Sequence, residues 1–91
     1  LTAPLAADLM DLASNYRVVP WVAQGSIVGK TLVDAGIRQR YALNVIGIRR
    51  ADSKHQRVEA PKPDDTIRVG DTLLVVGDAD DVARFVAAES D

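Results

Sequence analysis

Few folds can accommodate the segment Thr72–Gly77, whose sequence TLLVVG is apolar at almost every position. Successive side chains of a strand point to opposite faces of its sheet, so a strand of this composition must be covered on both faces. We therefore predict that it is the central strand of a small sheet. Asp78 then caps a C-terminal helix whose buried stripe contains Val82, Phe85 and Val86, while the tail from Glu89 is expected to be frayed.

Three further segments are predicted strands: Tyr16–Ala23, Leu43–Arg50 and Gln56–Ala60. Pro20 cannot donate a ladder hydrogen bond, so the first of them belongs at a sheet edge or a bulge. Strict alternation along the second places Asn44, Ile46 and Ile48 on one face and Val45 on the other.

Two helices are predicted before the central strand. Apolar residues at helical spacing favour a leading helix in residues 1–14, which is either a linker before a domain spanning residues 15–91 or a simple core helix. Gly29–Ala35 is predicted as a short crossover helix with Leu32 and Val33 facing inward, ended by Gly36 in a left-handed conformation. The chain begins without Met, as a fragment of a longer protein would. Together the elements predict an α+β domain with a small mixed sheet, a short crossover helix and a C-terminal helix.

The composition excludes several classes of function. With 91 residues there is room for one domain, and a net charge of -2 gives no general reason to expect nucleic acid as a partner. The absence of cysteine rules out disulfides and thiolate sites, and the single histidine, His55, lies in a polar connection. Turn and cap roles account for the two aspartate groups, Asp64–Asp65 and Asp78–Asp81, so we assign no metal site and no catalytic residues.

The run Gly25–Thr31, GSIVGKT, is similar to a phosphate-binding P-loop but differs at a decisive position. That loop needs two glycines separated by four residues, and here the separation is three because Gln24 stands where the first glycine would be. We therefore do not predict a nucleotide hydrolase, and the chain is not expected to be an enzyme.

Basic residues are concentrated in one part of the sequence: Arg38, Arg40, Arg49, Arg50, Lys54 and Arg57. Arg38 and Arg40 are two residues apart and could point the same way, toward the oxygens of a phosphate. Asn44 carries a donor and an acceptor suited to a purine edge, and Ile37 and Val45 could sandwich a flat base. The alternative is a solvated basic rim that pairs with the many carboxylates.

Several segments in a fixed order resemble the TrkA-C domain, also called the RCK C-terminal domain: Ile27–Leu32, Ile37–Arg50, Pro61–Ile67, Gly70–Gly77 and Asp81–Phe85. The resemblance covers roughly residues 15 to 88. It implies a dimeric regulatory domain attached to potassium channels, to potassium uptake systems of the Trk and Ktr type, or to cation antiporters. It also implies a position at the cytoplasmic side of the plasma membrane through the parent transporter, and no cofactor.

In several members of that family the domain dimer binds cyclic di-AMP in a cleft at the two-fold axis. The matching positions in this chain are Leu32, Ile37, Arg38, Asn44, Val45 and Pro61. Arg38 would face the phosphates, and Asn44 and Val45 the adenine. Leu43 departs from the family pattern, since some binders have a polar or aromatic residue there.

Two other functions remain open from the sequence. The chain could be a structural module that only dimerises, or a metal-ion sensor built on its aspartates. Trp21 and Val45 are the candidate residues of a dimer interface, and burial of Trp21 in its own core is the alternative for that side chain.

Overall fold

The computed structural model describes residues 15–90, so the predicted leading helix lies outside the described residues. The elements follow in the order β1 (Tyr16–Val22), a 3-10 turn (Gly25–Ile27), α1 (Leu32–Ala35), α2 (Ile37–Tyr41), β2 (Asn44–Arg49), β3 (Val58–Glu59), β4 (Thr72–Asp78) and α3 (Ala79–Glu89).

The four strands form one sheet in the order β1-β4-β2-β3. β4 therefore lies inside the sheet between β1 and β2, as its apolar sequence predicts, and β1 lies at the edge, as Pro20 requires. The α+β class is confirmed. Every pairing among the described strands is antiparallel, however, so the prediction of a mixed sheet is wrong in that respect.

A bulge in β2 overturns the predicted distribution of its side chains. Val45 pairs with Val75 and Gly47 pairs with Leu74, so Ile46 is an additional residue without its own partner on β4. An inserted residue reverses the alternation beyond it. Ile48 is consequently buried on the core side, the side that Val45 also faces, and not with Asn44 as strict alternation predicted.

One face of the sheet carries the core, and α3 packs on it. Phe85 is fully buried at the centre, and the rings of Trp21 and Tyr41 meet it edge-on with centroids at 4.8 and 5.2 Å. The opposite face leaves apolar side chains such as Val18 and Val22 more than half exposed. In residues 15–90 no helix is long and apolar enough to cross a membrane.

The segment between β1 and β2 contains two helices where one was predicted. α1 begins only at Leu32, after Thr31, whose hydroxyl accepts a hydrogen bond from the Asp34 amide. Gly36 ends it with φ at 65°, the left-handed conformation predicted for it. Val33 is 59% exposed, so its predicted inward orientation is wrong, and the buried residue of α1 is Ala35.

Candidate ligand-binding groove

A groove of about 340 Å³ lies between α1, the start of β2 and the segment 61–63. Its lining residues are Leu32, Val33, Arg38, Gln39, Leu43, Asn44, Val45, Pro61, Lys62 and Pro63. The volume is at the lower end of the range for small-molecule sites, which is about 300–1,000 Å³.

Backbone hydrogen bonds hold two walls of the groove together. The amides of Leu32 and Val33 donate to the carbonyls of Asp65 and Pro63, each at 3.0 Å. The first amides of a helix have no partner within the helix, and here the segment after Pro61 supplies it. The apolar side chains of α1 and the prolines therefore keep a fixed separation.

Arg50 anchors the same segment from its other side. Its guanidinium donates to the carbonyl of Thr66 and to the carboxylate of Asp71, both at 2.7 Å. Burial acts to raise the pKa of Asp71, but hydrogen bonds from the Ala51 amide, Arg50 and the Arg68 amide outweigh it and leave that pKa below its ordinary value. Asp71 therefore stays ionised and keeps Arg50 in place.

Two polar side chains of the groove have no polar partner in the described chain. Within residues 15–90 the Arg38 guanidinium and the Asn44 amide group make no side-chain hydrogen bond or ion pair, and both residues are exposed. A guanidinium with free donors suits a phosphate, and an amide that both donates and accepts suits the edge of a base. Leu32, Val45 and Pro61 supply apolar surface beside them.

Five of the six predicted ligand-binding residues line this groove, and Ile37 does not. Ile37 is 3% exposed and belongs to the core beneath α2, a position that does not favour direct contact with a base. Gln39 and Lys62 line the groove without having been predicted. Lys62 lies at the groove because residues 63–65 pair with α1, and no pattern in the sequence indicates that pairing.

Arg40 does not point in the same direction as Arg38, contrary to the prediction. Residues two apart on a helix are separated by about 200° around the axis, so α2 directs the two side chains to opposite sides. Arg40 instead donates to Glu89 Oε2 at 2.8 Å. Glu89 is only 3% exposed, and the prediction of a frayed tail is wrong at this residue.

The Glu89 carboxylate also accepts hydrogen bonds from the hydroxyl of Tyr41 and from Ser26 Oγ, the latter at 3.0 Å. The hydrogen bond from Tyr41 is the main cause that holds the pKa of Glu89 below its ordinary value of 4.5, with Ser26 and Arg40 acting against the effect of burial. The same hydrogen bond, with burial, raises the pKa of Tyr41 above 10.0.

The remaining candidates occupy structural positions. Trp21 is 5% exposed and its indole donates to Ser90 Oγ at 3.0 Å, which fits burial in its own core. Asp78 caps α3 by accepting from the Asp80 amide. Among residues 15–90, no three acidic or histidine side chains are grouped closely enough to hold a metal ion.

Comparison with known proteins assigns the chain to a family. The family model of the TrkA-C domain matches residues 22–88. The Ktr system potassium uptake protein C of Bacillus subtilis is 31% identical over 78 residues, which is 86% of this chain and 34% of that protein. The chain thus spans about a third of the length of this relative.

Solved structures share the fold. The RCK C domain of the potassium transport protein KtrA, in complex with cyclic diadenosine monophosphate, is 28% identical, with a TM-score of 0.73 over 90% of this chain and 93% of that one. The RCK_C domain dimer of S. agalactiae BusR in complex with c-di-AMP is 18% identical, with a TM-score of 0.66 over 80% of this chain and 89% of that one.

Proposed function

The chain belongs to the TrkA-C domain family, and on this basis we propose that it is a regulatory domain that binds cyclic di-AMP in the groove between α1 and β2. Binding would control a potassium or other cation transport system. One observation carries the proposal. The Arg38 guanidinium and the Asn44 amide group lie in the same groove between apolar walls, and neither makes a side-chain hydrogen bond or ion pair within residues 15–90. The KtrA domain, whose complex contains this ligand, supports the choice.

The chemistry of the ligand matches the groove. Each half of cyclic di-AMP carries one phosphate and one adenine. Arg38 would bind the phosphate through two parallel N–H donors. Asn44 would bind the adenine edge, while the aliphatic side chains of Leu32 and Val45 would cover the faces of the base.

A second copy of the domain completes the site. One groove contains a single Arg38 and a single Asn44, whereas the two-fold symmetric ligand carries two phosphates and two adenines. Two chains related by a two-fold axis would each supply one groove and one Arg38, which is the arrangement a symmetric ligand selects. Val45 would then lie close to the axis, as a residue of both the groove and the dimer interface.

The domain would act on transport by shifting an equilibrium. A ligand that bridges two chains favours the conformation in which they are close, by no more than its difference in affinity for the two conformations. The relatives are potassium uptake proteins, so the partner we propose is a membrane cation transporter or channel.

Isothermal titration calorimetry with cyclic di-AMP tests the proposal. Arg38→Ala removes one arginine from each half of the shared site, and a hydrogen bond to a charged group contributes about 1.5–3 kcal/mol, so binding should weaken by about 100-fold or more. Arg49→Ala is the matched control, since Arg49 is an exposed arginine of β2 outside the groove. Equal losses of affinity in both variants, or no binding of cyclic di-AMP to the unmodified chain at low salt, would refute the assignment of this ligand.

Sedimentation equilibrium addresses the alternative of a purely structural dimerisation module. A stable dimer whose association constant does not change with cyclic di-AMP would favour that module. A monomer that associates when the ligand is added would favour ligand sensing.

A further inference from the structure

Glu89 connects three segments that are far apart in the sequence. Ser26 lies in the 3-10 turn, Arg40 and Tyr41 belong to α2, and Glu89 is the last residue of α3. All three partners donate to the same carboxylate. Glu89 is 3% exposed, so these donors replace the water that would otherwise solvate its charge.

Helix energetics do not explain why an acidic residue is buried at this position. The C-terminal end of a helix carries partial negative charge, which disfavours a carboxylate there. Proteins break such local preferences mainly at functional or strained sites, and other contacts then compensate for the cost. Here the compensation comes mostly from α2, through Arg40 and Tyr41.

α2 depends on these contacts for its orientation. It has five residues and lies between Gly36 and Ala42, which both have left-handed backbones with φ near 60°. A helix of so few residues is not stable alone. Its inner side is held by Ile37 and by Tyr41, whose ring packs on Phe85, and its other side presents Arg38 to the groove.

We propose that Glu89 is a positioning residue for the ligand groove: by holding Arg40 and Tyr41 it fixes α2, and α2 in turn places the Arg38 guanidinium. The proposal rests on the proposed function, since Arg38 is the residue assigned to the phosphate. Glu89 would then influence the affinity for the ligand, although it lies on the side of α2 away from the groove. By linkage, a ligand held by Arg38 also stabilises the contacts at Glu89.

A double-mutant cycle measured by calorimetry with cyclic di-AMP tests this role. Glu89→Gln keeps the shape of the side chain and removes its charge, and we expect about fivefold weaker binding, within the range for residues that act on a site indirectly. In an Arg38→Ala background the same change should have no further effect, because Glu89 acts through Arg38. Tyr41→Phe, which removes only the hydroxyl, is a milder second variant and should weaken binding in the same direction.

Val82→Ala is the matched control for loss of stability. Val82 is a buried residue of the same helix and makes no hydrogen bond to α2, so its truncation should lower the melting temperature and leave the affinity unchanged. If Glu89→Gln weakens binding equally with and without Arg38, or behaves like Val82→Ala, the positioning role is refuted.

A measurement without ligand separates this proposal from the proposed function. In the free domain, Glu89→Gln should shift the backbone amide resonances of Arg38 and Gln39, and Val82→Ala should not. Unchanged resonances in Glu89→Gln would refute the positioning role even if cyclic di-AMP binds. Shifted resonances in a chain that does not bind the ligand would refute the proposed function and retain the role of Glu89 in placing α2.

Discussion

A carboxylate on the last residue of a helix faces the negative end of the helix macrodipole, and Glu89 is in this situation. Tertiary contacts reverse the local preference, because a guanidinium and two hydroxyl groups donate to it. Charge-assisted hydrogen bonds are stronger than neutral ones, so the network stabilises the ionised form. The next residue, Ser90, is also tied to the core, because its hydroxyl accepts a hydrogen bond from the indole N–H of Trp21.

The stability of the domain should depend on Glu89 at neutral pH and not in acid. The pKa of Glu89 is lowered in the folded state, so its contribution is fully present above the ordinary pKa of 4.5 and is lost as pH falls through the folded-state pKa. We expect Glu89→Gln to lower the free energy of unfolding by about 1–3 kcal/mol at pH 7. Urea denaturation at a series of pH values measures the difference, which should shrink below pH ~4.5.

Glu59→Gln is the control for that experiment, because Glu59 is an exposed carboxylate on β3. It should change the free energy of unfolding by less than about 0.5 kcal/mol at every pH. A difference between wild type and Glu89→Gln that stays constant from pH 7 to pH 3 would show that the charge of Glu89 is not what stabilises the fold.

At the scale of the elements, close approach between the sheet and its neighbours depends on glycine at two positions. A Cβ on Gly77 in β4 would collide with Leu43 Cδ2, and one on Gly47 in β2 would lie 2.5 Å from Val58 Cγ1. Leu43 is fully buried and also lines the groove, whereas Val58 is 53% exposed on the two-residue strand β3. The same substitution therefore meets a buried neighbour at one site and an exposed one at the other.

Gly77→Ala should be much more destabilising than Gly47→Ala. Overpacking against a buried side chain costs about 1–3 kcal/mol, and we expect about 2–3 kcal/mol for Gly77→Ala. At Gly47 the Val58 side chain can move into solvent, and the reduced freedom of the unfolded chain offsets part of the cost, so we expect less than about 1 kcal/mol. Urea midpoints at unchanged m-value report both changes.

Gly77→Ala should also weaken the binding of cyclic di-AMP, because the added methyl group would displace Leu43, which lines the groove. Equal losses of stability in the two variants would mean that Leu43 is as free to move as Val58. If Gly77→Ala binds cyclic di-AMP with unaltered affinity, Leu43 is not part of the functional groove.

The strands were predictable from the sequence, and the two details that shape the groove were not. Alternation and apolar content identify β1 and β4, and Pro20 identifies the edge. The bulge at Ile46 has only an ambiguous local signal, because a glycine within a strand pattern, here Gly47, is compatible with a bulge as well as with a regular strand. α2 was missed for a related reason: five residues between two left-handed positions are too few to show a helical period.

At the scale of the whole molecule, the groove was recovered largely through resemblance, and its supporting contacts were not. Leu32, Arg38, Asn44, Val45 and Pro61 converge although they come from four separate segments. Their convergence depends on the backbone pairing of residues 63–65 with α1 and on the Arg50–Asp71 ion pair. Such long-range contacts join residues whose side chains carry no pairing pattern in the sequence, so only the folded chain reveals them.

The stoichiometry of binding should be one cyclic di-AMP per two chains. One groove offers a single Arg38 and a single Asn44, while the ligand has two phosphates and two adenines, so full use of the ligand requires a second groove. Calorimetry should therefore give about 0.5 ligand per chain, and binding should couple to association, so that the melting temperature rises with protein concentration at saturating ligand. Affinity should fall with added salt if Arg38 binds the phosphate as proposed. A stoichiometry of one ligand per chain, without change in mass by sedimentation, would contradict the shared site and leave each groove as an independent half-site.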